Sequence, residues 1–109
     1  MNESILAQLY DVIKDRKEQK EEGSYTSYLF KNGIDKILKK VGEECSETII
    51  AAKNANKDDV INETADLIYH LNVMLCALDI DVRDVEENLR ARRQKSNNLK
   101  VMKQVDKNT

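Results

Sequence analysis

The chain has 109 residues, 40% hydrophobic and 35% charged, a composition that suits one soluble domain and leaves no room for a second. With 18 Lys+Arg against 20 Asp+Glu the net charge is -2, so no overall basic field argues for nucleic acid or an acidic membrane surface as a partner. The longest uncharged apolar stretch, LIYHLNVMLCAL from Leu67 to Leu78, falls short of the ~20 residues that a membrane helix needs.

Proline is absent and only Gly23, Gly33 and Gly42 interrupt the chain, so long helices are expected and hairpin turn pairs are missing. The fold class is therefore all-α, a bundle of four to five helices. The N-terminus does not resemble a signal peptide, because Glu3 precedes the apolar positions and charges interrupt them; a cytoplasmic protein is expected. A first helix is predicted from about Glu3 to Glu22, with Ile5, Leu6, Leu9, Val12 and Ile13 at helical spacing, ended by Gly23. The hydroxyls of Ser24, Tyr25, Thr26, Ser27 and Tyr28 suit a helix cap or a short turn of helix before Gly33. The next helix should run from about Ile34 to Asn54. After NANKDD another should reach about Leu78, with Asp58 or Asp59 as N-cap. Asp81 opens a last helix that is expected to reach about Arg93. The domain is expected to span residues 1–95, and the polar, weakly patterned stretch over 96–109 is expected to be a flexible tail.

On a helical wheel Ile34, Ile37, Leu38, Val41, Cys45, Thr48, Ile49 and Ala52 form one apolar stripe centred near Val41, and that stripe is expected to be core. Glu44 then lies about 80° from the stripe's centre, at the core's edge, while Glu47 lies about 140° away and Glu43 nearly opposite. Residues three apart share a face, so Glu44 and Glu47 can aim at one point. The following helix repeats the arrangement with Glu63 and Asp66, and His70 four residues on. Ile61, Thr64, Ala65, Ile68, Leu71, Leu75 and Leu78 occupy its opposite face, yet Val73 and Ala77 put apolar groups near the acids too. A helix that is apolar nearly all round is normally buried, and a buried carboxylate is costly unless it is paired or holds a metal.

Were the two helices an antiparallel hairpin, Glu44, Glu47, Glu63 and Asp66 could meet as an all-oxygen cage, the ligand set that Mg²⁺ or Mn²⁺ prefers. A solvated acidic face, or pairing of Glu43, Glu44 or Glu47 with Lys36, Lys39 or Lys40, is the competing reading. His70 is expected to be a satisfied core residue, since four carboxylates need no nitrogen ligand. Cys45 and Cys76 show no metal spacing and are expected to be reduced packing thiols. Four amphipathic helices, one of them nearly all apolar, offer more hydrophobic surface than a chain of this size hides alone, so a homodimer at least is expected.

The run SYTSYLFKNGIDKILKKVGEECSETIIAAKN, followed by ETADLIYHLNVML, resembles the phosphoribosyl-ATP pyrophosphohydrolase family, and the match covers about Leu9 to Arg92. Its broader superfamily, the all-α NTP pyrophosphatases that include MazG-like and dimeric dUTPase-like enzymes, is marked by EExxE followed by ExxD. Those positions are Glu43, Glu44, Glu47, Glu63 and Asp66 here. The resemblance implies hydrolysis of 1-(5-phosphoribosyl)-ATP between its α and β phosphates, a step of histidine biosynthesis. It implies metal ligation by Glu44, Glu47, Glu63 and Asp66, and a role for Glu43 in orienting the water or a second metal. Lys36 and Lys40 are then candidates for phosphate contacts, with simple pairing to the neighbouring glutamates as the alternative. Tyr25, Thr26 and Ser27 are candidates for substrate hydrogen bonds, with helix capping as the alternative. Arg90, Arg92 and Arg93 read either as a solvated helix end or as a contact to a neighbouring subunit's phosphates. A pyrophosphatase for free NTPs or dUTP, and a non-enzymatic helical interaction module, are the alternative functions.

Overall fold

Ser4 sets the start of the first helix, because its hydroxyl accepts the Ala7 N–H at 3.1 Å and so satisfies one of the open donors of the first turn. In the computed structural model, which describes residues 3–19 and 21–96, α1 therefore runs Ile5–Glu18 and is shorter at both ends than the expected Glu3–Glu22. The hydroxyl-rich segment is a full helix, α2 (Tyr25–Asn32), with Ser24 as its cap accepting the Ser27 N–H. Gly33 closes it and opens α3 (Ile34–Lys53). Its N–H bonds back to Leu29 and Phe30, its carbonyl accepts from Ile37, and its φ of +88° is one that a side chain would strain.

The N-cap of α4 (Lys57–Ala77) is Asn56, not Asp58 or Asp59: its Oδ1 accepts the Asp59 N–H at 3.1 Å. Both aspartates lie inside the first turn, where their charge favours the positive end of the helix dipole. Past α4, Asp79 takes a left-handed φ of +59°, and Lys17 holds the turn by donating to the Cys76 carbonyl and the Asp79 carboxylate, each at 2.8 Å. The Asp81 carboxylate accepts the Arg83 N–H at 2.9 Å and introduces α5 (Val82–Ser96). Arg83 in turn pairs with Glu3, Asp11 and Asp81, tying the start of α5 to α1. The expected tail lies, beyond Ser96, outside the described residues.

The described residues are thus all-α, with five helices and no strand. None of the helices is long and apolar enough to cross a membrane. The three residues Asn54–Asn56 fold α4 back on α3, and this hairpin is the most extensive helix pair in the molecule. Thr48 fixes its register, with Oγ1 lying 2.8 Å from the Glu44 carbonyl and 3.2 Å from the Glu63 carbonyl across the hairpin. α1 packs against α4, α2 bridges α1 and α3, and α5 closes the end. Ala7, Tyr10 and Ile13 of α1 meet Leu29, Ile37, Val73, Cys76 and Val82 in the core. Both cysteines are free thiols, Cys76 within that core and Cys45 half-buried.

The expected core stripe of α3 is corrected by this packing. The buried line is Ile37, Glu44 and Ala51, turned about 60° from the expected centre at Val41. Ile34, Leu38 and Ile49 are exposed, Ile49 to 68%. α4 behaves alike: His70, Val73 and Cys76 on or near the acidic side are buried, while Ile61, Ile68 and Leu78 are exposed. The inner sides are thus those of Glu44 on α3 and His70 on α4, with Glu43, Glu47 and Asp66 still exposed, and apolar residues such as Ile49 and Ile61 are left outward.

Candidate metal-binding active site

Seven-residue spacing puts Ile37, Glu44 and Ala51 on one line of α3, so the helix that buries its isoleucine must bury Glu44 as well. Across the hairpin stand Glu63, half-buried, and Asp66, exposed at the rim. Glu44, Glu63 and Asp66 each offer one carboxylate oxygen within 4.8 Å of the others. Glu44 is only 7% exposed, and one oxygen each of Glu44 and Glu63 is buried without a hydrogen-bond partner. Such oxygens have lost water and gained nothing in return, a state that native structures tolerate where a cation supplies the missing contact.

The electrostatics agree with the geometry. Burial, then contact with the Glu47 carboxyl, then the charges of Asp66 and Glu63 push the Glu44 carboxyl up to about 7. Burial, followed by Glu47 and Asp66, raises Glu63 in the same direction. Glu47 thus adjoins both residues although it stands outside the closest triplet, and it is exposed at the cluster's open side. The donor set is made of hard oxygens that are crowded, buried in part and unpaired, which fits a divalent cation such as Mg²⁺. Glu43 is turned away and pairs with Lys40 at 3.3 Å.

His70 backs the cluster. Its Nδ1 donates to the Asp66 carbonyl at 2.7 Å, since a carbonyl can only accept, so its Nε2 accepts from the Tyr25 hydroxyl at 3.0 Å. Both ring nitrogens are engaged, which leaves neither for a metal. Thr26 Oγ1 bonds the Tyr69 hydroxyl. Ser27 is buried; its hydroxyl accepts the Glu21 N–H at 2.9 Å and donates to the Arg16 carbonyl, so its only O–H is spent on the α1–α2 connection. Lys36 makes no ion pair among the described residues and lies 5.8 Å over the ring of Tyr28. Arg90 pairs with Glu87, and Arg92 and Arg93 are exposed on α5.

Two aromatic residues near the site, Tyr28 and Tyr69, are not among the site candidates that the sequence offers. Tyr28 stacks on Tyr25 at 6.1 Å between ring centroids, and Tyr69 stacks on Tyr25 at 6.2 Å. The three-residue spacing of Tyr25 and Tyr28 signals a shared face once α2 is known to be a helix; nothing in the sequence joins Tyr69 to them.

Comparison with known proteins gives a consistent result. The family model described as phosphoribosyl-ATP pyrophosphohydrolase matches residues 6–93. A protein of Clostridium novyi (strain NT) named phosphoribosyl-ATP pyrophosphatase is 52% identical over 99 residues, covering 91% of this chain and 90% of its own length. Its namesake in Streptococcus thermophilus is 54% identical over 101 residues, covering 93% and 97%. That of Clostridium acetobutylicum is 56% identical over 96 residues, covering 88% and 87%.

Proposed function

This chain belongs to the phosphoribosyl-ATP pyrophosphohydrolase family, and from that membership we propose that its acidic hairpin is the site at which 1-(5-phosphoribosyl)-ATP is hydrolysed. The enzyme splits the bond between the α and β phosphates to give phosphoribosyl-AMP and pyrophosphate, the histidine-biosynthesis step. The observation that carries the site assignment is the pair of buried, unpartnered oxygens on Glu44 and Glu63 within the Glu44, Glu63 and Asp66 triplet. Glu44, Glu63 and Asp66, with Glu47 beside them, would hold Mg²⁺ or Mn²⁺. A bound divalent ion supplies charge neutralisation for the phosphoanhydride and lowers the pKa of a water.

The chain's own groups have separable tasks in this reading. Glu47, exposed at the open side, is placed to accept the proton of the attacking water. Lys36 and Lys40 supply the local cations that a protein of net charge -2 otherwise lacks. Glu43, paired with Lys40, steadies that lysine for the phosphates and does not itself touch the water. Thr48 locks the register that brings Glu44 opposite Glu63. A pyrophosphatase for free NTPs would share the acids, but the relatives' names favour the phosphoribosylated substrate. Chelator should abolish pyrophosphate release from phosphoribosyl-ATP and added Mg²⁺ should restore it, as followed by a coupled pyrophosphate assay; full turnover in metal-free buffer would sink the site.

The working unit is a homodimer in the same proposal. Ile49, Ile50, Ile61, Ile68 and Leu78 are all exposed on the hairpin's outer faces, and exposed apolar area of this kind marks an interface. Light scattering at micromolar concentration should give twice the chain mass, and Ile61→Lys should lower it; a wild-type monomer would refute the dimer.

A further inference from the structure

Beside the acidic cluster stands an aromatic group that the hydrolytic chemistry does not use. Tyr25 and Tyr28 are stacked, each 45% exposed, and they sit on the outer end of a series that runs inward through Tyr69 to the buried His70. Two stacked rings open to water offer a flat apolar platform on which a base can stack. Tyr25 is held in place: its hydroxyl bonds His70, whose ring meets Tyr25 edge-on at 5.8 Å, and Tyr69 behind it is held by Thr26. One imidazole and two hydrogen bonds separate the Tyr25 hydroxyl from the backbone of Asp66, a gap that the sugar of a nucleotide can bridge. The Tyr28 ring already takes a cation on its face, since the Lys36 ammonium lies 5.8 Å from its centroid.

We propose that Tyr25 and Tyr28 form the seat for the substrate's N1-ribosylated purine, in the place that Lys36 holds in the free protein, and that this seat separates phosphoribosyl-ATP from ATP. The proposal rests on the hydrolase reading above. Its chemistry follows from the substrate. An adenine alkylated at N1 is a stronger base than adenine and carries positive charge near neutral pH, whereas the adenine of ATP is neutral. A cationic ring gains from the negative face of a tyrosine in addition to ordinary stacking, which acts on neutral and charged bases alike. The charged base takes the place that Lys36 occupies in the free protein, and Lys36, having no ion-pair partner among the described residues to hold it, is released towards the phosphates. ATP, with a neutral base, exchanges with the lysine less favourably.

Steady-state kinetics of the full chain with phosphoribosyl-ATP and with ATP, both in Mg²⁺, tests this, with light scattering on every variant. Tyr28→Ala should raise KM for phosphoribosyl-ATP about tenfold with kcat within about twofold, and should narrow the preference over ATP. Tyr28→Leu, which keeps bulk but no π face, should behave like the alanine variant and covers the case in which that one fails to fold. Tyr28→Phe should keep the wild-type KM. An unchanged KM in Tyr28→Leu, a loss in Tyr28→Phe equal to that in Tyr28→Ala, or an equal loss with ATP would each overturn the seat. So would a raised KM that tracks dissociation of the oligomer, which would make Tyr28 an interface residue. A wild-type protein that releases no pyrophosphate from phosphoribosyl-ATP would instead remove the hydrolase reading itself.

Discussion

Glu44→Gln should all but stop pyrophosphate release while making the metal-free protein harder to melt. The substitution keeps the shape of the side chain but removes a carboxylate that is buried, partly unpartnered and crowded by Glu47, Asp66 and Glu63. Two like charges about 5 Å apart at an effective dielectric of ~20 repel by roughly 3 kcal/mol, which is a sizeable part of a small domain's stability. With that repulsion and the desolvation of the charge gone, the melting temperature in chelator near pH 8 should rise by roughly 5 °C or more. The same change deletes a ligand from the centre of the cluster, so turnover should fall by roughly a thousandfold, about 4 kcal/mol of transition-state stabilisation. Mg²⁺ should then stabilise the variant less than the wild type, because the ion's differential affinity for the folded state is what raises the melting point. Glu47→Gln should show both effects in smaller measure, since Glu47 is exposed and its charge is better screened. Loss of stability together with retained turnover in Glu44→Gln would mean that Glu44 is an ordinary structural group and that the cage is wrongly drawn.

The metal-free protein should lose stability as pH rises from about 5 to about 8, the reverse of the usual behaviour of a domain rich in paired carboxylates. Glu44 has its carboxyl raised to about 7 by burial and by its acidic neighbours. Between the ordinary glutamate value near ~4.3 and about 7 the unfolded chain therefore binds fewer protons at this position than the folded one. The stabilisation is fully present below the unfolded value and is lost as pH climbs through the folded value, amounting to up to about 3 kcal/mol. Glu63 is raised for the same reasons and adds in the same sense. Asp79, held down by Lys17, and Asp81, held down by its bonds to Arg83, act in the opposite sense, but their contribution is lost only below the ordinary aspartate range. Saturating Mg²⁺ should invert the slope, because it binds the ionised carboxylates and so competes with protons for them. Melts followed by circular dichroism at several pH values, in chelator and in Mg²⁺, read both slopes. A metal-free melting temperature that rises steadily from about pH 5 to pH 8 would mean that the chain itself neutralises Glu44.

The acidic cluster was open to reading from the primary structure because its signal is local. Glu44 with Glu47, and Glu63 with Asp66, stand three apart, and helical geometry alone makes each pair converge. The hairpin that joins the pairs needs only the short polar break at Asn54–Asn56. Ser27 and Asn56 show where such reading stops. A hydroxyl in a turn-rich segment suits a substrate contact or a cap equally well, and only the approach of Glu21 and Arg16 from the end of α1 commits Ser27 to the fold. Asn56, Asp58 and Asp59 are all competent caps, and the backbone at Asn56, extended at φ −89° and ψ 108°, decides among them.

By itself, then, the amino-acid sequence determined an all-helical chain, the two acidic pairs and the family to which they belong, since periodicity, missing proline and motif spacing all act within one or two helical turns. Which face of each helix points inward was decided by the tertiary structure alone. α3 and α4 carry apolar residues on more of their surface than one monomer buries, so the wheel centred on Val41 could not choose between two apolar sides. Packing against α1 and α2 chose the side of Ile37 and Val73, drew Glu44 into the interior with them, and left Ile49 and Ile61 facing out. The tyrosine stack on His70 is of the same origin, because Tyr25 and Tyr69 lie far apart in the chain and meet only when α2 docks against the hairpin. Burial is a sum over neighbours from several elements, and a charge acquires its energetic meaning, as a solvated face or as a site in want of a cation, only when that sum is complete.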